Sequence, residues 1–143
     1  MFILMRMNVF KTIFLIILMQ GSTLYAQDIM DYTWKNRILI LYGHEDNFHE
    51  VESAFKLIKE NTTNFKERDL LVLLYKDGTF LDTDKNKVVF KGSSTLTTYN
   101  DGYILIGKDG GIKFQKPYPL NIKQLFDRID SMPMRRAEMK SNN

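Results

Sequence analysis

Arg68-Asp69, Lys108-Asp109 and Arg135-Arg136 are the residues of this 143-residue chain best suited to grip another molecule. An arginine fork meets a carboxylate or phosphate through two parallel hydrogen bonds, and adjacent lysines and aspartates set the sign of what it accepts. These six residues form the candidate binding patch. It is either a recognition surface for a carboxylate or other anionic partner group, or a set of ion pairs pinning the carboxyl-terminal arm over the fold. Met132, Met134 and Met139 would then pack adaptably beneath that arm.

Other constellations point to less. The chain has no cysteine, so disulfide exchange is chemically excluded, and the loop Gly43-His44-Glu45-Asp46-Asn47 carries acids where a thiol chemist would need a thiolate. His44 and His49 are five residues apart, whereas the H-E-x-x-H pattern places two histidines four apart on one helical face. They read as capping residues at a loop-to-helix junction. His49 and Ser53 share a helical face without a strained nucleophile turn. Gly102 to Lys108 has the outline of a phosphate loop, but its middle is an apolar strand and Asp109 follows the lysine. Asp82-Thr83-Asp84-Lys85-Asn86 opens like a calcium loop, with Lys87 where glycine belongs and Ser93 where glutamate belongs. A polar hairpin tip is the simpler reading. No catalytic residue, metal site or cofactor is assigned.

The elements that must position the patch are legible from periodicity. Residues 38–42, 70–75 and 103–106 are short, continuously apolar runs, the mark of strands covered on both faces. Phe48, Val51, Phe55 and Ile58 recur at helical spacing, with Asn47 and Glu50 as the expected amino-terminal cap. Ile122, Leu125, Phe126, Ile129 and Met132 form a second stripe, capped by Asn121 and stopped by Pro133. Asp109-Gly110-Gly111 permits the positive φ of a tight antiparallel hairpin between 103–106 and 112–114. The segment 76–101 is the variable part, with a hairpin from 79–81 to 87–90 and room for one short helix. The tail from Lys140 is expected to be disordered. The predicted fold is α/β: a small, cysteine-free, thioredoxin-like mixed sheet with helices on both faces.

The first 26 residues read as a signal peptide: Arg6 and Lys11 come first, an apolar core spans 12–19, and small residues precede a cut after Ala26. That cut leaves a 117-residue domain without a membrane span. The domain proper is expected over 27–139. Without Arg6 and Lys11, the 20 basic residues become 18 against 17 acidic ones, so the basic isoelectric point of about 9.0 gives no argument for nucleic acid.

Four runs carry a resemblance: Trp34-Lys35-Asn36-Arg37, Glu67-Arg68-Asp69-Leu70, the stretch 105–113 through Gly107-Lys108-Asp109-Gly110-Gly111, and Ile129-Asp130-Ser131-Met132-Pro133-Met134-Arg135-Arg136-Ala137-Glu138-Met139. Together they resemble a thioredoxin-like domain family of unknown function. It occurs as a lone exported domain in bacteria and is related to the carboxyl-terminal part of vertebrate sushi-repeat-containing secreted proteins and to a matrix-associated coiled-coil-domain protein. The resemblance implies an exported, periplasmic or secreted, cysteine-independent fold that binds a protein or envelope partner. An enzyme or small-ligand-binding protein using the Arg, Lys and Asp cluster is the alternative. The last two runs are expected to meet in space, with Arg135 or Arg136 pairing with Asp69 or Asp109.

Overall fold

The computed structural model describes residues 32–89 and 94–142. The predicted signal peptide and Phe90, the last residue of the predicted second hairpin, lie outside them. Six strands form one mixed sheet: β1 (Arg37–Gly43), β2 (Leu70–Lys76), β3 (Thr79–Leu81), β4 (Lys87–Val88), β5 (Tyr103–Ile106) and β6 (Ile112–Lys116). Their order is β4-β3-β2-β1-β5-β6, with β1 and β2 parallel and every other pairing antiparallel. Helices α1 (Phe48–Glu60) and α2 (Thr62–Glu67) cross from β1 to β2, because parallel neighbours cannot be joined by a tight turn. Helices α3 (Ile122–Asp130) and α4 (Pro133–Ser141) follow β6.

Alternation along the strands sorts the core into two layers. Leu39 and Leu41 of β1, Leu70, Val72 and Leu74 of β2, and Tyr103 and Leu105 of β5 face the α-helices. They meet Val51, Ala54 and Ile58 of α1, Phe65 of α2, and Leu125 and Ile129 of α3. On the opposite face, Ile38, Ile40, Tyr42, Leu73, Ile104 and Ile106 pack against Phe80 and Leu96, with Tyr75 and Tyr99 partly buried beside them. Among the described residues the cover on that face is a 3-10 turn, Ser94–Thr97, rather than an α-helix. The insert therefore supplies the second layer. Tyr42 anchors it from below, its buried hydroxyl donating to the Leu96 carbonyl at 2.8 Å.

Several boundaries differ from the sequence expectation. Asn47 stands at the N-cap of α1 as expected but makes no side-chain cap bond there; the cap bond comes one turn earlier, where His44 opens a 3-10 turn at Glu45–Asn47 and accepts from the Asp46 amide at 3.2 Å. Asn47 instead donates to the Tyr42 carbonyl at 3.0 Å and to Asp101 at 2.9 Å, tying the turn to the start of β5. Phe48, expected in the apolar stripe, is exposed, and Ala54 takes a buried place in it. Asn121 caps α3 as expected, accepting from the Gln124 amide at 2.9 Å. Pro133 does not simply end a helix. Its fixed φ and missing N–H suit the first turn of the next one, and α4 begins there. Lys140 and Ser141, expected in a disordered tail, complete α4.

The turn from β5 to β6 takes positive φ at Gly110, as the hairpin requires. Gly102, just before β5, also has positive φ, and a Cβ there would run into the Lys116 carbonyl oxygen. Only glycine fits so close to a backbone.

Candidate functional site

The four sequence runs that carry the resemblance converge at one end of the sheet, where β1 and β2 begin. Arg37 opens β1 on the face of Leu39 and Leu41, under the helices, and is 1% exposed. Its guanidinium grips Glu138 of α4 at both oxygens, at 3.2 and 3.3 Å, and donates to the Arg68 carbonyl at 2.8 Å. Lys108, buried just beyond β5, reaches Glu138 at 2.7 Å and Asp69 at 2.8 Å. Glu138 thus clamps α4 to β1 and to the β5–β6 turn at once.

A second set lies beside the first. Arg68 holds Asp130 at both oxygens, at 3.0 and 2.7 Å, while its guanidinium stacks 4.3 Å above the Phe126 ring. Arg135, 2% exposed, donates to Asp130 at 3.2 Å, to the Glu67 carboxylate at 3.1 Å and to the Glu67 carbonyl at 3.0 Å. It also stands 3.7 Å from Glu138, joining the two sets. Four cations (Arg37, Arg68, Lys108, Arg135) are matched by four carboxylates (Glu67, Asp69, Asp130, Glu138).

Of the six predicted patch residues, Arg68, Asp69, Lys108 and Arg135 enter this network. Asp109 does not, pairing instead with Lys113 of β6 at 2.6 Å. Arg136 is exposed and makes no side-chain ion pair among the described residues. The expected partnership of Arg135 or Arg136 with Asp69 or Asp109 is therefore replaced. Lys108 takes Asp69, and Arg135 turns inward to Glu67 and Asp130, because helical geometry at Pro133 points position 135 at the sheet and position 136 away. Arg37 was missed as a site residue. Its signal was a charge set flush against an unbroken apolar strand. Glu67, Asp130 and Glu138 also went unassigned, having no pattern beyond their places in the shared runs.

The ionisation of the network follows from its contacts. Burial pushes the Glu138 carboxyl up, but the hydrogen bonds from Lys108 and Arg37 outweigh it and hold the pKa below the usual range. Burial and the Arg68 and Arg135 bonds act on Asp130 with the same net result. Burial pulls the Lys108 ammonium down, and its bonds to Asp69 and Glu138 more than reverse this. A carboxylate depressed in the fold stabilises fully above its unfolded pKa of about 4 and loses that contribution as pH falls through the folded value. A raised lysine stabilises below about 10.4 and loses its contribution as pH rises through the folded value. Burial raises the Tyr42 and Tyr118 phenols too, which adds to the alkaline limb. Melting temperature should therefore be level between about pH 5 and pH 9 and fall on both sides. Thermal unfolding across that range checks it, and a continuous rise toward pH 3 would contradict the assignment.

The calcium-like opening at Asp82 is held within its own turn. Asp82 accepts from the amides of Asp84 and Asn86, both at 2.9 Å, closing the β3–β4 turn upon itself. Among the described residues no three histidine, aspartate or glutamate side chains are grouped to hold a metal ion, and no helix is long and apolar enough to cross a membrane.

Fold and site together define a cysteine-free mixed α/β module, closed at one end by an ion network built from distant segments. Residues 28–138 match the domain of unknown function DUF4174, and the chain belongs to that family. No curated protein matches it.

Proposed function

We propose that this chain is an exported, non-catalytic module of thioredoxin-like topology that binds a protein or envelope partner at the end of the sheet bearing the ion network. Support for the topology comes from the β1-α1-β2 parallel unit followed by the β5–β6 hairpin and α3. Support for a non-catalytic role comes from the network, whose four cations are all spent on internal carboxylates. The kinship with sushi-repeat-containing secreted proteins belongs to this same reading, as does export, which rests on the leading basic, apolar and small-residue order.

The observation that carries partner binding is Trp34. It is 65% exposed, yet its backbone is fixed: φ is +69°, and its amide donates to the Lys108 carbonyl. Lys108 in turn holds Asp69, another non-glycine residue at positive φ. Strained backbone of this kind costs about 1–3 kcal/mol per residue and collects where function requires it. An exposed, pre-positioned tryptophan is the side chain most suited to anchor an interface, and the exposed Asp69 and Arg136 supply polar groups near the network.

The test uses protein exported from full-length chain. Amino-terminal sequencing should place the mature start near Gln27. Immobilised protein should capture a specific partner from an envelope extract. Trp34→Ala should weaken that capture by about tenfold or more, with melting temperature unchanged because the ring is already in water. Undiminished capture by a folded Trp34→Ala variant overturns this surface, and an intact Met1 on the exported product overturns the export reading.

A further inference from the structure

Two adjoining depressions open at the other end of the sheet, beyond the carboxyl ends of β1 and β2, with volumes of about 210 and 360 Å³ and a common wall of Tyr99 and Asn100. The carboxyl ends of parallel strands are where open α/β sheets receive ligands, since the connections diverge there and leave a crevice. Neither the ion network nor the Trp34 surface reaches this place.

The smaller depression is lined by Tyr75, Tyr99, His44 and Asp77, above Tyr42, whose ring is fully buried. The Tyr42 ring lies 5.7 Å from Tyr75 and 5.9 Å from Tyr99, at 64° and 57°, so it backs the two partly buried rings that form the wall. That wall is fixed from beneath by the Tyr42 hydroxyl on Leu96. Asp77 sits at the rim in the β2–β3 turn, held at φ +49° beside Gly78 at +74°. Its carboxylate is exposed and takes no hydrogen bond or ion pair among the described residues. Asp101 lines the larger depression. Its Oδ1 accepts from Asn47 at 2.9 Å and from the Gly102 amide at 2.8 Å, with His44 Nε2 at 3.9 Å. Glu45 and Asp46 lie in the neighbouring turn, while Lys76 ends β2 and Lys116 lines the larger depression.

Aromatic faces are electron-rich, and a carboxylate beside them completes the environment that attracts an organic cation. An anion would meet Asp77 and Asp101. A volume near 210 Å³ is below the ~300–1,000 Å³ of sites for whole drug-sized ligands and suits one group of side-chain size. We propose that this cleft is a binding site for an organic cation, an ammonium or guanidinium group on a short alkyl stem, seated against Tyr75 and Tyr99 and paired with Asp77. A lysine or arginine side chain of a polypeptide and a free small amine share that chemistry.

The experiment is an amide-resonance titration of the folded protein with N-acetyl-lysine methylamide, N-acetyl-arginine methylamide and choline, set against N-acetyl-glutamine methylamide and glucose. The cations should shift the amides of Gly43, Asp77 and Asn100 with dissociation constants in the millimolar range, and the neutral probes should bind at least about tenfold more weakly. Asp77→Asn should weaken each cation by about threefold to tenfold. Because Asp77 is exposed, that variant keeps its fold and its melting temperature. Tyr99→Leu should act in the same direction. Preference for the amino-acid amides identifies a polypeptide side chain as the source, and preference for choline identifies a free small-molecule ammonium. The proposal is overturned by the absence of shifts at tens of millimolar cation, by equal binding of glutamine amide or glucose, or by unchanged cation affinity in Asp77→Asn.

Discussion

Glu138→Ala is expected to lower the unfolding free energy by roughly 3–5 kcal/mol, the cost of breaking a buried ion pair by removing one partner. The reason lies in what stays behind. Arg37 is enclosed by the strand and the helices, so its guanidinium cannot turn to water once its bidentate partner is gone. It would keep only the Arg68 carbonyl, and its Nε already lacks a protein partner. Lys108 would retain Asp69 alone. Urea denaturation of wild type and variant measures the loss. A background carrying Arg37→Met, which preserves bulk without charge, should shrink the penalty of Glu138→Ala by at least ~1 kcal/mol, since coupled neighbours are not additive. Strict additivity of the two substitutions would show that the contact carries no energy.

The neighbouring arginines should behave in opposite ways. Arg135→Ala is expected to cost about 2–4 kcal/mol, since it strips Asp130 and Glu67 of a shared donor and removes a stem packed under α4. Arg136→Ala should stay within ~0.5 kcal/mol of wild type, as an exposed side chain without an ion partner. Denaturation midpoints of the two variants, measured side by side, decide the matter. Equal losses would mean that α4 does not present these positions as described.

How much of this was legible follows from the physics of each segment. Strands β1 and β5 were readable because burial on both faces forbids polar interruption, β2 because its apolar run continues through the exposed Leu71, and the α3 stripe because Leu125 and Ile129 must both reach the sheet. The insert was not. Part of its hold on the core is a hydroxyl of Tyr42 on a carbonyl of Leu96, fifty-four residues away, and no local pattern encodes that bond. The site was half legible. Arg68, Asp69, Lys108 and Arg135 could be picked out as charge in distinctive runs, but whether a charge points inward depends on helix phase. A proline that begins a helix instead of ending one sets Arg135 inward and Arg136 outward, a difference the sequence reading left open.

The matching of four cations with four carboxylates has a kinetic corollary. Opposite charges a few ångströms apart cancel beyond a Debye length, about 8 Å at physiological ionic strength, so this end of the molecule projects little field into solution. A partner arriving at Trp34 would be drawn in by no long-range attraction from the network. Its association would run near the unsteered ~10⁵–10⁶ M⁻¹s⁻¹ and respond weakly to added salt. Discrimination between partners would then rest on how slowly the correct one leaves, through shape and apolar contact around the exposed indole.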